Sequence, residues 1–261
     1  MSGPQNYTLG RGELHFGKFA AGTTTPLAER YFGNTPEFNL TIEVENLDHY
    51  SSDRGIREKD DSVVLQADRS GSLTTDSVKP DNIALFFFGT KETVTVVAAS
   101  AQSQTYTGNP AGLTVQLGTN AQNPSGARNV DTVALVTVPP TPALVEGTDY
   151  VVDKARGRVM FEETVNVKAL TSVAFTYDVD ASKRDRIISG SQPVEGSLRY
   201  LAMNPKGENF DYFMPWVKIT PNGDYALKGD EWQTIPFSIE ILKKPGQEAI
   251  YCDGQPFAVG P

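Results

Sequence analysis

Along most of the chain, apolar residues recur at every second position between turn-forming Gly, Pro, Asn and Asp, the period of a strand with one face in a core. Thr8 to Phe19 alternates around Leu9, Leu14 and Phe16, and Glu37 to Val44 places Phe38, Leu40, Ile42 and Val44 on one face. Both segments predict half-buried strands. Alternation resumes over Ser62 to Thr74 through Val63, Leu65 and Leu73. The intervening stretch, Glu45 to Asp61, is almost wholly polar and is expected to be a long loop; such loops are usually functional or ordered by a partner. One compact apolar run, Ile83 to Phe88, follows Asp81, a candidate N-cap, and is the expected helix, although Phe86-Phe87-Phe88 would equally suit a buried strand.

From Thr90 to about Asp180 the texture shifts to Thr, Val, Ala and Gly, with few aromatics and with Pro139-Pro140 in the middle. Strands are expected at Thr132 to Val138, Asp149 to Val152, Arg158 to Phe161 and Ser172 to Val179, with a hairpin turn at Lys154 to Gly157. Residues 91–180 are therefore expected to form a small β-sandwich inserted into a main domain built from residues 1–90 and 181–261. After a charged junction, Ser182 to Arg186, three long strands are expected at Gly196 to Asn204, Tyr212 to Thr220 and Trp232 to Leu242. The expected fold class is all-β: a sandwich or barrel-like domain with one flanking α-helix, plus the inserted sandwich.

Composition narrows the function classes. The 261 residues carry a formal net charge of −9, which removes the inexpensive electrostatic route to nucleic-acid affinity, so specific DNA binding is not expected. Cys252 is the single cysteine; an intrachain disulfide and a thiolate zinc site are excluded, and maturation in a reducing cytoplasm is expected. Met1 to Gly12 lacks a charged-then-apolar leader and Ile83 to Phe88 is far short of a membrane span, so neither secretion by a standard signal nor membrane insertion is expected.

Catalytic ingredients are sparse. His15 and His49, the two histidines, fit no metal-ligand spacing. No Gly-x-Ser-x-Gly elbow occurs, and Ser189-Gly190-Ser191 has the wrong spacing for one. Gly10-Arg11-Gly12 and Gly22 lie among strands rather than between a strand and a helix, which argues against a phosphate-binding loop. The neighbouring carboxylates Asp60-Asp61, Glu162-Glu163 and Asp230-Glu231 point to opposite faces of an extended chain. Asn222-Gly223-Asp224 with Asp230-Glu231 offers oxygen ligands, but turn chemistry accounts for it and EF-hand spacing is missing. No catalytic residue, cofactor or metal is expected, and the chain is not expected to be an enzyme. Phe210, Tyr212, Phe213 and Trp216 are expected to pack into a core from one long strand.

Several runs together resemble phage major tail tube proteins: "LGRGELHFGKF" from Leu9 to Phe19, "ERYFGNTPEFNLTIEVENLDHYSSDRG" from Glu29 to Gly55, "DNIALFFFG" from Asp81 and "IPFSIEIL" from Ile235. "VEGTDYVVD" from Val145 resembles an inserted β module of tail proteins. The Gly33 to Phe38 turn and strand, followed by the charged stretch, is the most specific part. What this resemblance implies is a β-rich subunit with one flanking helix, six copies of which join sheets edge to edge into rings stacked as the DNA-ejection conduit. The acidic balance would then keep passing DNA from sticking to the wall.

In that setting the charged stretch is the element expected to reach an adjacent ring, through Asp48, His49, Tyr50, Asp53, Arg54, Arg57, Lys59, Asp60 and Asp61, whose mixed signs favour register over raw affinity. The termini, Met1 to Gly12 and the tail after Asp253, are further candidates for contacts between rings. The implied partners are copies of the chain, the tape measure, tail terminator and baseplate proteins, and DNA in transit without specific binding. The implied location is the virion tail, assembled in the bacterial host cytoplasm. Two other readings stay open: a capsid decoration or baseplate hub protein, and a carbohydrate-binding module using the inserted domain. The last would need exposed Tyr106, Tyr150, Phe161, Phe175 and Tyr177, most of which alternation turns towards a core.

Overall fold

The computed structural model describes residues 7–53, 55–138 and 143–255; Pro139-Pro140 and Arg54 lie outside the described residues. The fold is all-β, with antiparallel sheets and two short helices. Two compact units are present, one made of Met1–Glu92 and Ile187–Pro261, the other of Thr93–Arg186.

The first unit opens with β1 (Gly12–Lys18), β2 (Arg30–Tyr31), β3 (Glu37–Ser51), β4 (Glu58–Thr75) and α1 (Pro80–Phe86). The chain continues through β5 (Thr90–Val96) into β6 (Ala99–Thr107), β7 (Thr114–Gln116), β8 (Val130–Val138), β9 (Tyr150–Asp153), β10 (Arg158–Phe161), α2 (Val165–Lys168) and β11 (Ser172–Val179). It returns through β12 (Ser182–Ile188), which pairs with β5, and ends in β13 (Val194–Ala202), β14 (Phe210–Pro221), β15 (Ile235–Ile241) and β16 (Tyr251–Gly254).

In the first unit the strands run in the order β2-β1-β13-β14-β15-β4-β3, with β16 joined to the start of β14. The alternation seen in the sequence sets the register. Ile235, Phe237, Ile239 and Ile241 of β15 are buried, while Ser238 between them pairs with Ser72 and Thr220 on its two sides. Leu198 of β13 pairs with Met214 of β14, and Phe237 with Leu73 of β4; all four are buried in one cluster with Leu14, Phe16 and Phe32. Burying a side chain of this size stabilises a fold by about 1.5–3 kcal/mol. Leu85 belongs to the same cluster and Ile83 and Phe86 pack against it, so α1 closes the apolar face over β14 and β15.

The helix starts earlier than expected. Pro80 occupies the first helical position, where its missing N–H and fixed φ cost nothing, and the N-cap is Lys79 rather than Asp81. Asp81 lies instead in the first turn, where the helix dipole favours a carboxylate. The helix ends at Phe87, and Phe88 takes a left-handed φ of 51°.

In the second unit, the three-stranded sheets β7-β10-β9 and β6-β11-β8 share a core that includes Leu117, Val159, Phe161, Val173, Phe175 and Tyr177. Phe161, Phe175 and Tyr177 are buried, while Tyr106 and Tyr150 are half-buried against the same core. Among the described residues, these five rings form no exposed row. The β9–β10 hairpin turns as expected at Lys154 to Gly157. Gly157 has φ +64°, and a Cβ there would meet the Ala127 carbonyl oxygen at 2.3 Å, so only glycine fits the turn.

One expectation is corrected, and one strand was not foreseen. Glu45 to Asp61 is not a long loop: residues up to Ser51 continue β3, and Glu58 already belongs to β4. Ser182 to Arg186, the charged junction at which the second unit ends, is not irregular but forms most of β12. Both segments are charged on strands that reach solvent, so neither shows the one-sided alternation by which strands are read.

Candidate functional site

The longest paired element is the β3–β4 hairpin, which runs from Glu37↔Thr74 to Ser51↔Glu58 with register shifts after Glu45 and His49. At its base, Phe38 pairs with Leu73 over the core. The same face continues outward as Leu40, Ile42 and Val44, opposite Gly71, Arg69 and Ala67. These apolar residues were expected to be half-buried, yet they are 36%, 60% and 49% exposed. Beyond the first shift Leu47 pairs with Val63, and both are exposed, as are Val64 and Leu65. No described residue covers this row, because the apolar side of the sheet extends past α1.

The charged residues of the hairpin largely serve the hairpin itself. Lys59 Nζ lies 2.6 Å from Asp48 Oδ1, and the Ser62 hydroxyl donates to the same oxygen at 2.8 Å. These two hydrogen bonds, with Lys59 first, hold the Asp48 carboxyl below its usual range. His49 Nδ1 and Asp60 Oδ1 are 2.5 Å apart. Asp61 Oδ1 accepts the Ser62 backbone N–H at 2.8 Å. At the tip, the Arg57 guanidinium sits over the Tyr50 ring, 5.6 Å from its centroid. Asp53 lies in the exposed bend between the strands; Arg54 lies outside the described residues. Of the candidate residues, Asp48 with Lys59, His49 with Asp60 and Tyr50 with Arg57 thus make contacts across the hairpin that help to fix its register. The exposed apolar row beside them was legible as alternation and was missed as a surface.

A second feature concerns the sheet edge. β3 stands last in the strand order, so one side of its backbone has no strand partner among the described residues. A long edge strand with exposed apolar side chains is a template for another strand. The terminal candidates divide. Tyr7 to Gly12 is tied to the β13–β14 connection, where Leu9 bridges Lys206 and the Arg11 N–H bonds to Asn204 Oδ1 at 2.8 Å. Residues 1–6 and 256–261 lie outside the described residues.

Elsewhere the histidine, cysteine and carboxylate side chains form no metal-binding group among the described residues. His15, on β1, has Nε2 3.2 Å from Glu13 Oε2 and its ring against Tyr31. Gly223 makes its turn at φ +87°. The aromatic set on β14 is only partly in the core. Tyr212 packs against it, whereas Trp216 donates from Nε1 to Glu195 Oε2 at 3.2 Å and Phe210 is exposed. Phe213 stacks on Tyr251 under the Arg199 guanidinium. No helix among the described residues is long and apolar enough to cross a membrane.

No curated protein matches the chain. The model of the family described as "Protein of unknown function UCP028589" matches residues 7–250, and the chain belongs to that family.

Proposed function

We propose that the chain is a structural subunit that assembles with copies of itself, as the major tail tube protein of a tailed bacteriophage. The observation that carries this reading is the β3 edge with its outward row Leu40, Ile42 and Val44. The fifteen-residue β3 ends the sheet with its outer backbone edge unpaired among the described residues, and its apolar face runs on from the core into solvent. Edge-to-edge joining of identical sheets pairs that backbone and flanks that row with the neighbour's side chains, and a head-to-tail contact of this kind closes into a ring when its rotation is right. The tail tube resemblance of Leu9 to Phe19, Glu29 to Gly55, Asp81 to Gly89 and Ile235 to Leu242 names the kind of ring. The net charge of −9 suits a lumen through which DNA slides without adhering. On this reading the protein is not an enzyme, its partners are its own copies with the tape measure, terminator and baseplate proteins, and it resides in the virion tail.

The paired substitution Ile42→Lys with Val44→Lys tests the reading. Both positions are exposed in the single chain, so the stability of the monomer is expected to change by no more than about 0.5 kcal/mol each. Assembly, followed by sedimentation velocity, is expected to be lost. Wild-type oligomers that persist unchanged in the variant would place the contact elsewhere and remove the observation that carries the proposal.

A further inference from the structure

On the second unit, a concavity of about 350 Å³ gathers three arginines, Arg128, Arg184 and Arg186, and no carboxylate lines it. Arg184 and Arg186 alternate on β12 and so share a face. Asp185 between them is turned to the other side, where it accepts a hydrogen bond from the Thr93 hydroxyl. Arg128 arrives from the loop between β7 and β8. Its Nη1 is steered by the Arg156 carbonyl at 2.5 Å and Gln116 Oε1 at 3.4 Å. Arg186 Nη2 donates to Asn123 Oδ1 at 2.7 Å. Arg184 makes no hydrogen bond or ion pair among the described residues. Burial first, and then the charges of Arg186 and Arg128, hold its guanidinium below the ordinary value.

Three guanidinium groups line one hollow that has no carboxylate in its lining, and like charges so gathered repel one another. A multi-oxygen anion answers each of them at once, since guanidinium forks match phosphate and carboxylate oxygens and charge-assisted bonds of this kind are strong. Asn120 and Gln122 add amides to the same wall, and Tyr177 and Val96 give it an apolar floor. Amides both donate and accept, which suits hydroxyl groups.

We infer that this hollow is a binding site for a small oxyanion, a phosphate or carboxylate group carried on a hydroxyl-bearing body such as a sugar. The inference is independent of the tube proposal, because every residue it uses belongs to the second unit. The ligand meets Arg184 with its charged group, while the amide wall orients the hydroxyls.

Isothermal titration and thermal melting of the full chain at low salt test this, using inorganic phosphate, glucuronate, glucose 6-phosphate and neutral glucose as probes. The anionic sugars are expected to bind saturably with one site per chain and to raise the melting temperature; glucose is expected to do neither. Comparing inorganic phosphate with glucuronate identifies which anion the arginines prefer. Arg184→Gln is expected to weaken anion binding roughly tenfold or more, the loss of one charge-assisted hydrogen-bonding group. Its ligand-free melting temperature is expected to equal or exceed that of the wild type, because it removes a repulsion and breaks no hydrogen bond. Four results would overturn the inference: no saturable binding of any anion, equal binding of glucose, wild-type affinity in Arg184→Gln, or a variant that melts well below wild type without ligand. Saturable binding of a glutamate-rich peptide alone would assign the hollow to an acidic protein segment instead.

Discussion

Asn82 shows how one side chain can organise a junction. It is fully buried, and its Nδ2 donates to the Phe32 carbonyl at 2.7 Å and the Ser77 carbonyl at 2.9 Å. Its Oδ1 accepts from Arg30 Nη1 at 2.8 Å. The Arg30 guanidinium lies 5.1 Å from the centre of the Phe32 ring, and its Nη2 is buried without a partner among the described residues. Burial holds this arginine below its ordinary pKa, against the attraction of Asp81. Asn82→Ala therefore strands two carbonyls and a guanidinium at once. We expect a destabilisation of roughly 2–4 kcal/mol, the sum of two or three buried hydrogen bonds, measured by urea unfolding. At this scale the sequence is least legible: Asn82 stood beside a candidate cap, and nothing in its neighbours pointed to Arg30 or Phe32. The arginine hollow was hidden for the same reason, since Arg128 and Arg184 are joined only by the fold.

Elements were read best where a strand has one buried face. β10 and β11 were legible to the residue because Val159 and Phe161, and then Val173, Phe175, Tyr177 and Val179, alternate into a closed core. Glu45 to Asp61 of the β3–β4 hairpin was not, because solvent on both faces admits charged residues at successive positions and erases the period. Between β9 and α2 the second unit has an acid-sensitive tie. Asp149 accepts from the Thr164 hydroxyl at 2.5 Å and from the Val145 N–H at 2.9 Å, and Thr164 in turn caps α2 through the Val167 N–H at 3.3 Å. These bonds, Thr164 first, hold the Asp149 carboxyl below its usual value. Its stabilising contribution is therefore present above the unfolded-state pKa of about 4 and is lost as pH falls through the lower folded value. Asp149→Asn is expected to lower stability at pH 7 and to flatten the loss between pH 4 and pH 2, measured by denaturant unfolding across that range. A variant with the wild-type acid slope would show that other carboxylates carry the effect.

For the whole molecule, the tension lies between a well-packed interior and a sheet that does not stop where its core stops. Phe237, Leu73 and Phe32 are buried in one core, and the same face then carries Leu40, Ile42 and Val44 into water along an edge with no strand partner among the described residues. Such an edge is an aggregation hazard for a lone chain and an assembly device for a ring. Pairing the charges Asp48 with Lys59 and His49 with Asp60 inside the hairpin helps to keep its two strands in register. The most direct measurement is negative-stain electron microscopy of the purified full chain at high concentration, beside the Ile42→Lys, Val44→Lys variant. Hollow rings or stacked tubes in the wild type and none in the variant are the expected result. A compact closed trimer without a lumen, or a wild type that stays monomeric at every concentration, would contradict the account.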